Sequence, residues 1–114
     1  MEDIKNPITN VKIGYKDYII EQPETIPSIR TEYNGNINGE CMGTHRYYDS
    51  KIIIASKFEQ NDKNQTFLHE LLHGICSRFG LTELNDNDHA IDLLALGMYE
   101  IIRDNPHIFK MADI

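Results

Sequence analysis

The pentapeptide His69-Glu70-Leu71-Leu72-His73 places two imidazoles four residues apart, with a carboxylate beside the first. On an α-helix, residues i and i+4 project from the same face, so both histidines can bind one ion while Glu70 points about 100° away around the axis. This H-E-x-x-H spacing is typical of zinc hydrolases, in which a third protein ligand and a water complete the coordination. The motif therefore predicts a catalytic Zn²⁺ site with His69 and His73 as ligands and Glu70 as general base.

The residues around the motif predict the helix that this chemistry requires. Between positions 64 and 79, apolar residues recur at helical spacing on one side: Phe67, Leu68, Leu71, Leu72, Ile75, Cys76 and Phe79. His69 and His73 fall at the flank of this apolar arc. A structural alternative makes them histidines at the edge of a core helix, but it leaves the His-Glu-His spacing unexplained.

A third zinc ligand must come from another element, and a second predicted helix after the motif offers two candidates. His89 and Asp92 are three residues apart and project from a similar face. We favour His89, because it lies near the turn between the helices and neutral imidazole is a common zinc donor. Asp92 is the alternative, either as a ligand or as a carboxylate that orients a histidine ring. Glu83 and Glu100 are more remote choices.

The second half of the chain reads as two helices. The motif helix is predicted to start near Phe58 or Asn61 and to end at Gly80, a residue suited to a helix C-cap. Asp86, Asn87 or Asp88 can cap the second helix, which Pro106 stops. A core-facing stripe is predicted on this helix at Ile91, Leu94, Ala95, Met98 and Ile102.

The first half reads as extended chain. Strands are predicted at 11–15 and 18–20, and a hairpin at 40–48 and 51–55 around Asp49-Ser50, with turn signals at 34–39. His45, on one of these strands, is a candidate for lining the cleft. The expected fold class is α+β, with a small twisted antiparallel or mixed sheet packed against the motif helix and a second C-terminal helix. Residues 1–114 are expected to form a single domain.

Composition narrows the choice of partners. The chain has 18 acidic residues against 11 Lys plus Arg, a formal net charge of −7, and lacks the basic block that binds nucleic acid. No apolar stretch approaches the roughly 20 residues of a membrane span. The start, Met1 to Pro7, lacks the apolar core of a signal peptide. Only two cysteines, Cys41 and Cys76, are present, so we expect a cytoplasmic protein with reduced thiols.

Several segments together resemble the small HExxH metallopeptidase-like proteins of bacteriophages and integrated elements, distantly similar to the ImmA/IrrE group of gluzincin-like minimal zincins. The resemblance covers the early strand at Val11, the hairpin ending in Ile52-Ile53-Ile54, and the run from Thr66 to Ile75. Gly97-Met98-Tyr99 followed by Arg103-Asp104-Asn105-Pro106 is similar to the closing helix of those proteins. Where they commonly place an acidic ligand, this chain has His89 and Asp92.

The resemblance implies a zinc-dependent peptidase with a protein or peptide substrate. Zn²⁺ would be held by His69, His73 and either His89 or Asp92, and Glu70 would move a proton from water to the leaving amine. The edge strand of the sheet would align an extended peptide across the metal. The implied setting is a bacterial host cytosol, and the oligomeric state stays open between a monomer and a weak dimer.

Two other functions remain compatible with the sequence. One is a non-catalytic metal-binding or protein-binding module of phage or mobile-element origin that retains the zincin fold. The other is a virion or assembly component in which the His-Glu-His pattern is vestigial. Bound zinc would exclude the vestigial interpretation and is compatible with both the peptidase and the metal-binding module. Hydrolysis of a peptide would then distinguish the peptidase from the binding module.

Overall fold

A computed structural model of the 114-residue chain describes residues 8–27 and 40–108. The strands are β1 (Asn10–Ile13), β2 (Lys16–Glu21), β3 (Ile26–Pro27), β4 (Glu40–Cys41), β5 (Gly43–Arg46) and β6 (Lys51–Ile54). The helices are α1 (Gln60–Phe79), α2 (Thr82–Asn85) and α3 (Asp88–Asp104). The predicted α+β class is confirmed: the sheet precedes the helices in the chain, and the helices pack beside it.

The main sheet has four strands in the order β1-β2-β6-β5. The β1–β2 and β5–β6 pairs are antiparallel and the β2–β6 pair is parallel, so the sheet is mixed. The hairpin predicted around Asp49-Ser50 is confirmed by the β5–β6 pairing, although β5 ends at Arg46 and β4 is a separate short strand that pairs with β3. The turn signals at 34–39 and the segment Met1 to Pro7 lie outside the described residues. Strand β5 forms one edge of the sheet.

Helix α1 carries the motif and lies between the sheet and α3. It contacts β1, β5 and β6, and it packs against α3 as well. The core joins Tyr18, Ile52 and Ile54 of the sheet to Phe67 and Leu71 of the helix. The helix ends where the sequence predicts, because Gly80 has a φ of 69° and its backbone N–H donates to the Cys76 carbonyl.

The N-cap of helix α3 is Asn87, the middle one of the three predicted cap residues. The Asn87 side chain accepts a hydrogen bond from the Ala90 N–H at 3.1 Å. Ile91 and Ala95 are buried, but the predicted core stripe is wrong for Leu94, whose exposed fraction is 47%. The face that meets the rest of the chain is narrower than the stripe, because Ile91 and Ala95 are four residues apart and lie almost in line along the axis, while Leu94 sits at the margin.

The longest helix, α1, has 20 residues and includes the charged residues Asp62, Lys63, Glu70 and Arg78. Across residues 8–27 and 40–108, no helix is both long enough and apolar enough to cross a membrane.

Candidate metal centre and cleft

Asp88, in the first turn of α3, reaches the two motif histidines on α1. Its Oδ1 lies 3.2 Å from His69 Nε2 and 3.0 Å from His73 Nε2. Among the described residues, these three side chains bring ligand atoms within 4.8 Å of one another. The two rings lie side by side with centroids 4.9 Å apart, as the i, i+4 spacing requires. The motif histidines therefore share one partner, a carboxylate delivered by the second long helix.

The opposite nitrogen of each imidazole is held by a different residue. His69 Nδ1 lies 3.1 Å from Asp92 Oδ1, and His73 Nδ1 lies 2.6 Å from Asn85 Oδ1. A carboxylate oxygen and an amide oxygen only accept hydrogen bonds, so each ring can donate through an Nδ1–H to its partner. In that tautomer both Nε2 atoms would be free to bind a metal ion on the side that faces Asp88. Outer contacts of this kind set the tautomer and the orientation of metal-binding histidines.

The three converging side chains form a group that could hold a metal ion. Two imidazole nitrogens and a carboxylate oxygen lie within 4.8 Å of one another. Asp92 and the nearby Glu70 add further acidic groups. A divalent metal ion offsets this concentration of lone pairs and negative charge, and two imidazoles with one carboxylate suit zinc. The residues present therefore fit a metal centre with three protein ligands.

His89, the third ligand favoured by the sequence, does not join this group. It follows Asp88 directly, and it is exposed. Successive residues on a helix project about 100° apart, so when Asp88 faces α1 its neighbour points elsewhere. The alternative candidate, Asp92, is at the site, but it contacts the Nδ1 of His69 rather than the side on which the two Nε2 atoms converge.

Glu70 is the buried acid of the site, with an exposed fraction of 6%. No described residue donates a hydrogen bond to its carboxyl group. Burial above all, and then the charge of Asp88, raise the pKa of Glu70 to about 8 in the metal-free chain. An unpartnered buried carboxyl group is costly unless it has a task at the site or a nearby cation.

A cleft of about 340 Å³ opens in front of the motif, and its lining includes Glu70, His73, Asn85 and the edge-strand residues Gly43, Thr44 and His45. The candidate position of His45 on the cleft wall is thus confirmed. Its Nε2 lies 2.8 Å from the hydroxyl of the buried Tyr18. Burial first, followed by the charges of His73 and Lys16, lowers the pKa of His45 to about 4. The ring is therefore neutral at physiological pH.

The raised pKa of Glu70 predicts how the metal-free protein responds to pH. A carboxyl group whose pKa is higher in the folded state than its ordinary value of 4.5 favours folding at low pH, and this contribution is lost as the pH rises toward about 8. Glu70→Gln removes the ionisable group. In the presence of a chelator, the free energy of unfolding of the variant is therefore expected to be a few kcal/mol higher than that of the parent at a pH of about 9. The difference should disappear near pH 4.5, the ordinary value.

Urea unfolding at the two pH values measures this difference. Glu100→Gln serves as the control, because Glu100 is an exposed acid on α3. A parent protein that is as stable as Glu70→Gln under alkaline, metal-free conditions would contradict the prediction.

Sequence reasoning missed two residues of the site. Asp88 was considered as a helix cap, and the cap is Asn87, which leaves the Asp88 side chain directed toward α1. A usable signal exists, since Asp88 and Asp92 have the same i, i+4 spacing as the two histidines and so share one face of α3. Asn85 lies on the short helix α2, in a segment that reads only as a connection, and no sequence signal marks it.

Comparison of the chain with protein-family models, with curated proteins and with solved structures finds no match. The site is therefore interpreted from its own geometry.

Proposed function

We propose that this chain is a zinc-dependent peptidase in which His69, His73 and Asp88 are the metal ligands and Glu70 is the general base. One observation carries the proposal: His69 Nε2, His73 Nε2 and Asp88 Oδ1 converge within 4.8 Å beside the buried Glu70 on the wall of an open cleft, and no residue in the described part of the chain bonds to the Glu70 carboxyl group. A pair of histidines with a purely structural role would not need Glu70, Asp88 and the cleft beside it.

Zinc, when bound, supplies a Lewis acid that polarises a carbonyl group and makes water acidic near neutral pH. The chain itself provides the positioning. Asp92 and Asn85 hold the imidazole rings through Nδ1, so that both Nε2 atoms point to one place. With these three residues as ligands, a bound zinc ion would keep a coordination position for water, as hydrolytic sites require.

Glu70 has the environment of a proton carrier. It is buried, it lines the cleft, and its pKa of about 8 in the metal-free chain lies near the operating range of a general base. In the proposed reaction, a Glu70 carboxylate oxygen accepts a proton from the attacking water and then donates it to the leaving amine. The same group thus acts as base and as acid.

Strand β5 supports a peptide as the substrate. Among the strands that the structure describes it has one neighbour, β6, so its other side offers backbone groups to an added strand. Gly43, Thr44 and His45 of this strand line the cleft together with Glu70 and His73. A peptide paired with β5 would pass directly in front of the candidate metal centre.

The proposal is tested by incubating the zinc-loaded protein with a library of peptides made from a digested bacterial proteome. Mass spectrometry should detect new termini that depend on zinc and disappear with a chelator. If protein with one bound zinc per chain shows no zinc-dependent cleavage, peptidase activity is contradicted. That result would favour a non-catalytic binding module, which could also bind a peptide along the edge of β5.

His45 is proposed as the residue that stabilises the developing charge on the substrate carbonyl oxygen. A neutral imidazole can donate a hydrogen bond, and the Tyr18 hydroxyl holds this ring from behind. We expect His45→Gln to lower kcat by roughly 10²-fold to 10³-fold with little change in zinc affinity, because one such donor contributes about that much. Steady-state kinetics on the best peptide, combined with a zinc titration, measures both quantities; an unchanged kcat would remove His45 from the mechanism.

The proposal includes a cytoplasmic setting in a bacterial host and an origin in a phage or mobile element. Cys41 and Cys76 are both free thiols, which a reducing compartment maintains.

A further inference from the structure

A second, smaller pocket lies beside the cleft, around the C-terminal half of α1. We call it the cation pocket, because its wall contains Lys16 and Arg78 together with Tyr15 and Tyr47. The free space is about 10 Å³, room for roughly one water-sized group. The pocket therefore suits a single small polar atom, such as one oxygen of a carboxylate at the tip of a side chain, rather than a ring.

The two cations of this pocket have aromatic neighbours in place of acidic ones. Lys16 Nζ lies 4.3 Å from the centre of the Tyr47 ring, and Arg78 Cζ lies 5.4 Å from that of Tyr15. Within residues 8–27 and 40–108, neither cation has a carboxylate within 4.0 Å, whereas Arg46 and Lys51 are both ion-paired. Acidic residues outnumber Lys plus Arg by 18 to 11, so two adjacent cations without such a partner are notable.

The fold holds the parts of the cation pocket in place. Gly14, in the β1–β2 turn with a φ of +64°, lies directly under Arg78, since a Cβ atom on Gly14 would be 2.0 Å from Arg78 Nε. The hydroxyl groups of Tyr15 and Tyr47 are 3.2 Å apart and join the β1–β2 turn to the segment after β5. Tyr15 and Arg78 are exposed to solvent, and these contacts restrict them, so they lose less entropy when they bind a ligand than unrestrained side chains would.

The cation pocket and the cleft share a wall. Tyr18 lines the cation pocket, and its hydroxyl bonds to His45, which lines the cleft. Strand β5 runs alongside α1, because Gly43 lies against Thr66 and His45 lies beside Gly74. A peptide that follows β5 past Glu70 and His73 therefore leads toward Tyr47 and the cation pocket.

We propose that the cation pocket binds a carboxylate of the peptide that occupies the cleft, so that the substrate class is peptides with an Asp or Glu near the scissile bond. Lys16 and Arg78 supply charge-assisted hydrogen bonds, and the tyrosine hydroxyls supply neutral ones. The inference rests on the proposed function for the placement of the peptide along β5. Binding of the carboxylate itself requires neither zinc nor hydrolysis.

Binding is tested on the whole protein by NMR, with three small probes and without zinc. N-acetylglutamate α-amide carries only a side-chain carboxylate, N-acetylglutamine carries only a terminal one, and N-acetylglutamine amide carries none. We expect the first probe to shift the Arg78 Nε–Hε signal in a saturable way and the neutral probe to leave it unchanged. Saturation by N-acetylglutamine alone would overturn the side-chain assignment and indicate a chain terminus. Equal shifts from all three probes, or none, would overturn the pocket.

Arg78→Gln and Lys16→Gln should each lower the affinity for N-acetylglutamate α-amide by roughly tenfold, because each variant loses one charged hydrogen bond. The Lys16 variant is read through the Arg78 signal, and the Arg78 variant through the Tyr15 and Tyr47 ring signals. Arg103→Gln is the matched control, because Arg103 also lies in the last turn of a helix over a tyrosine ring, and it pairs with Asp104. An Arg103 variant that weakens binding equally would indicate general charge attraction and would contradict a specific site.

Cleavage specificity gives the second readout. New termini produced by the parent protein should be enriched in Asp or Glu at one fixed distance from the cut, and Arg78→Gln should lose this enrichment while still cutting. Cleavage without acidic enrichment would reject the cation pocket as a subsite and leave the peptidase proposal intact. Carboxylate binding without any cleavage would reject the peptidase proposal and leave the cation pocket intact as a carboxylate-binding site.

Discussion

Replacing Glu70 with glutamine is expected to lower the rate of zinc-dependent peptide cleavage by roughly 10³-fold or more, in the range of a lost general base. Glutamine is nearly the same size as glutamate and cannot accept the proton of the attacking water. Zinc should still bind with one equivalent per chain, because the proposed ligands are His69, His73 and Asp88. The experiment combines zinc analysis of the purified variant with kinetics on a peptide that the parent protein cleaves.

Two comparisons make this result specific to proton transfer. Glu100→Gln, on the exposed side of α3, should cleave at the parent rate. Substrate affinity of Glu70→Gln should remain close to that of the parent, which separates loss of chemistry from loss of binding. If cleavage by Glu70→Gln continues at the original rate, the base has been assigned to the wrong residue.

Substituting a proposed zinc ligand should produce the largest changes in metal affinity. His69→Ala, His73→Ala and Asp88→Ala each remove a donor atom from a group that lies within 4.8 Å, and zinc affinity should fall by more than about 100-fold. Asp92→Ala should cost about 10-fold to 100-fold, as expected of a residue that orients a ligand ring. Competition with a chromophoric chelator at fixed pH measures all four affinities on one scale.

His89→Ala is the matched control for Asp88→Ala, since the two residues are adjacent in the first turn of α3 and His89 is exposed. Its zinc affinity should equal that of the parent. A larger loss in His89→Ala than in Asp88→Ala would restore His89 as the third ligand and would show that the first turn of α3 rotates when metal binds. Circular dichroism of the metal-free variants distinguishes an altered fold from a lost ligand.

The parts of the site that depend on neighbouring residues could be predicted from the sequence. The i, i+4 spacing of His69 and His73 brings the rings together on any helix, and the apolar periodicity around them, with Gly80 at the end, indicates that a helix forms. The β5–β6 hairpin follows in the same way from strand-forming residues on both sides of Asp49-Ser50. In each case the geometry depends only on residues that are close together in the sequence.

The third donor depended on the tertiary structure. Whether Asp88, His89 or Asp92 faces α1 depends on the rotation of α3 about its axis, and a change of one residue turns the face by about 100°. Packing decides that rotation, because Ile91 and Ala95 are buried and Asn87 caps the helix. The sequence indicates that Asp88 and Asp92 share one face of α3, but it does not determine which face of the helix meets α1.

The pairing of an uncharged His45 with Tyr18, the burial of Glu70 and the contact from Asn85 to His73 also join residues that are distant in the sequence. By itself the sequence determined a motif helix with two imidazoles and an acid. The tertiary structure decided which carboxylate meets them and which groups hold the rings, because only the packing of α3 and the sheet against α1 brings those atoms within reach.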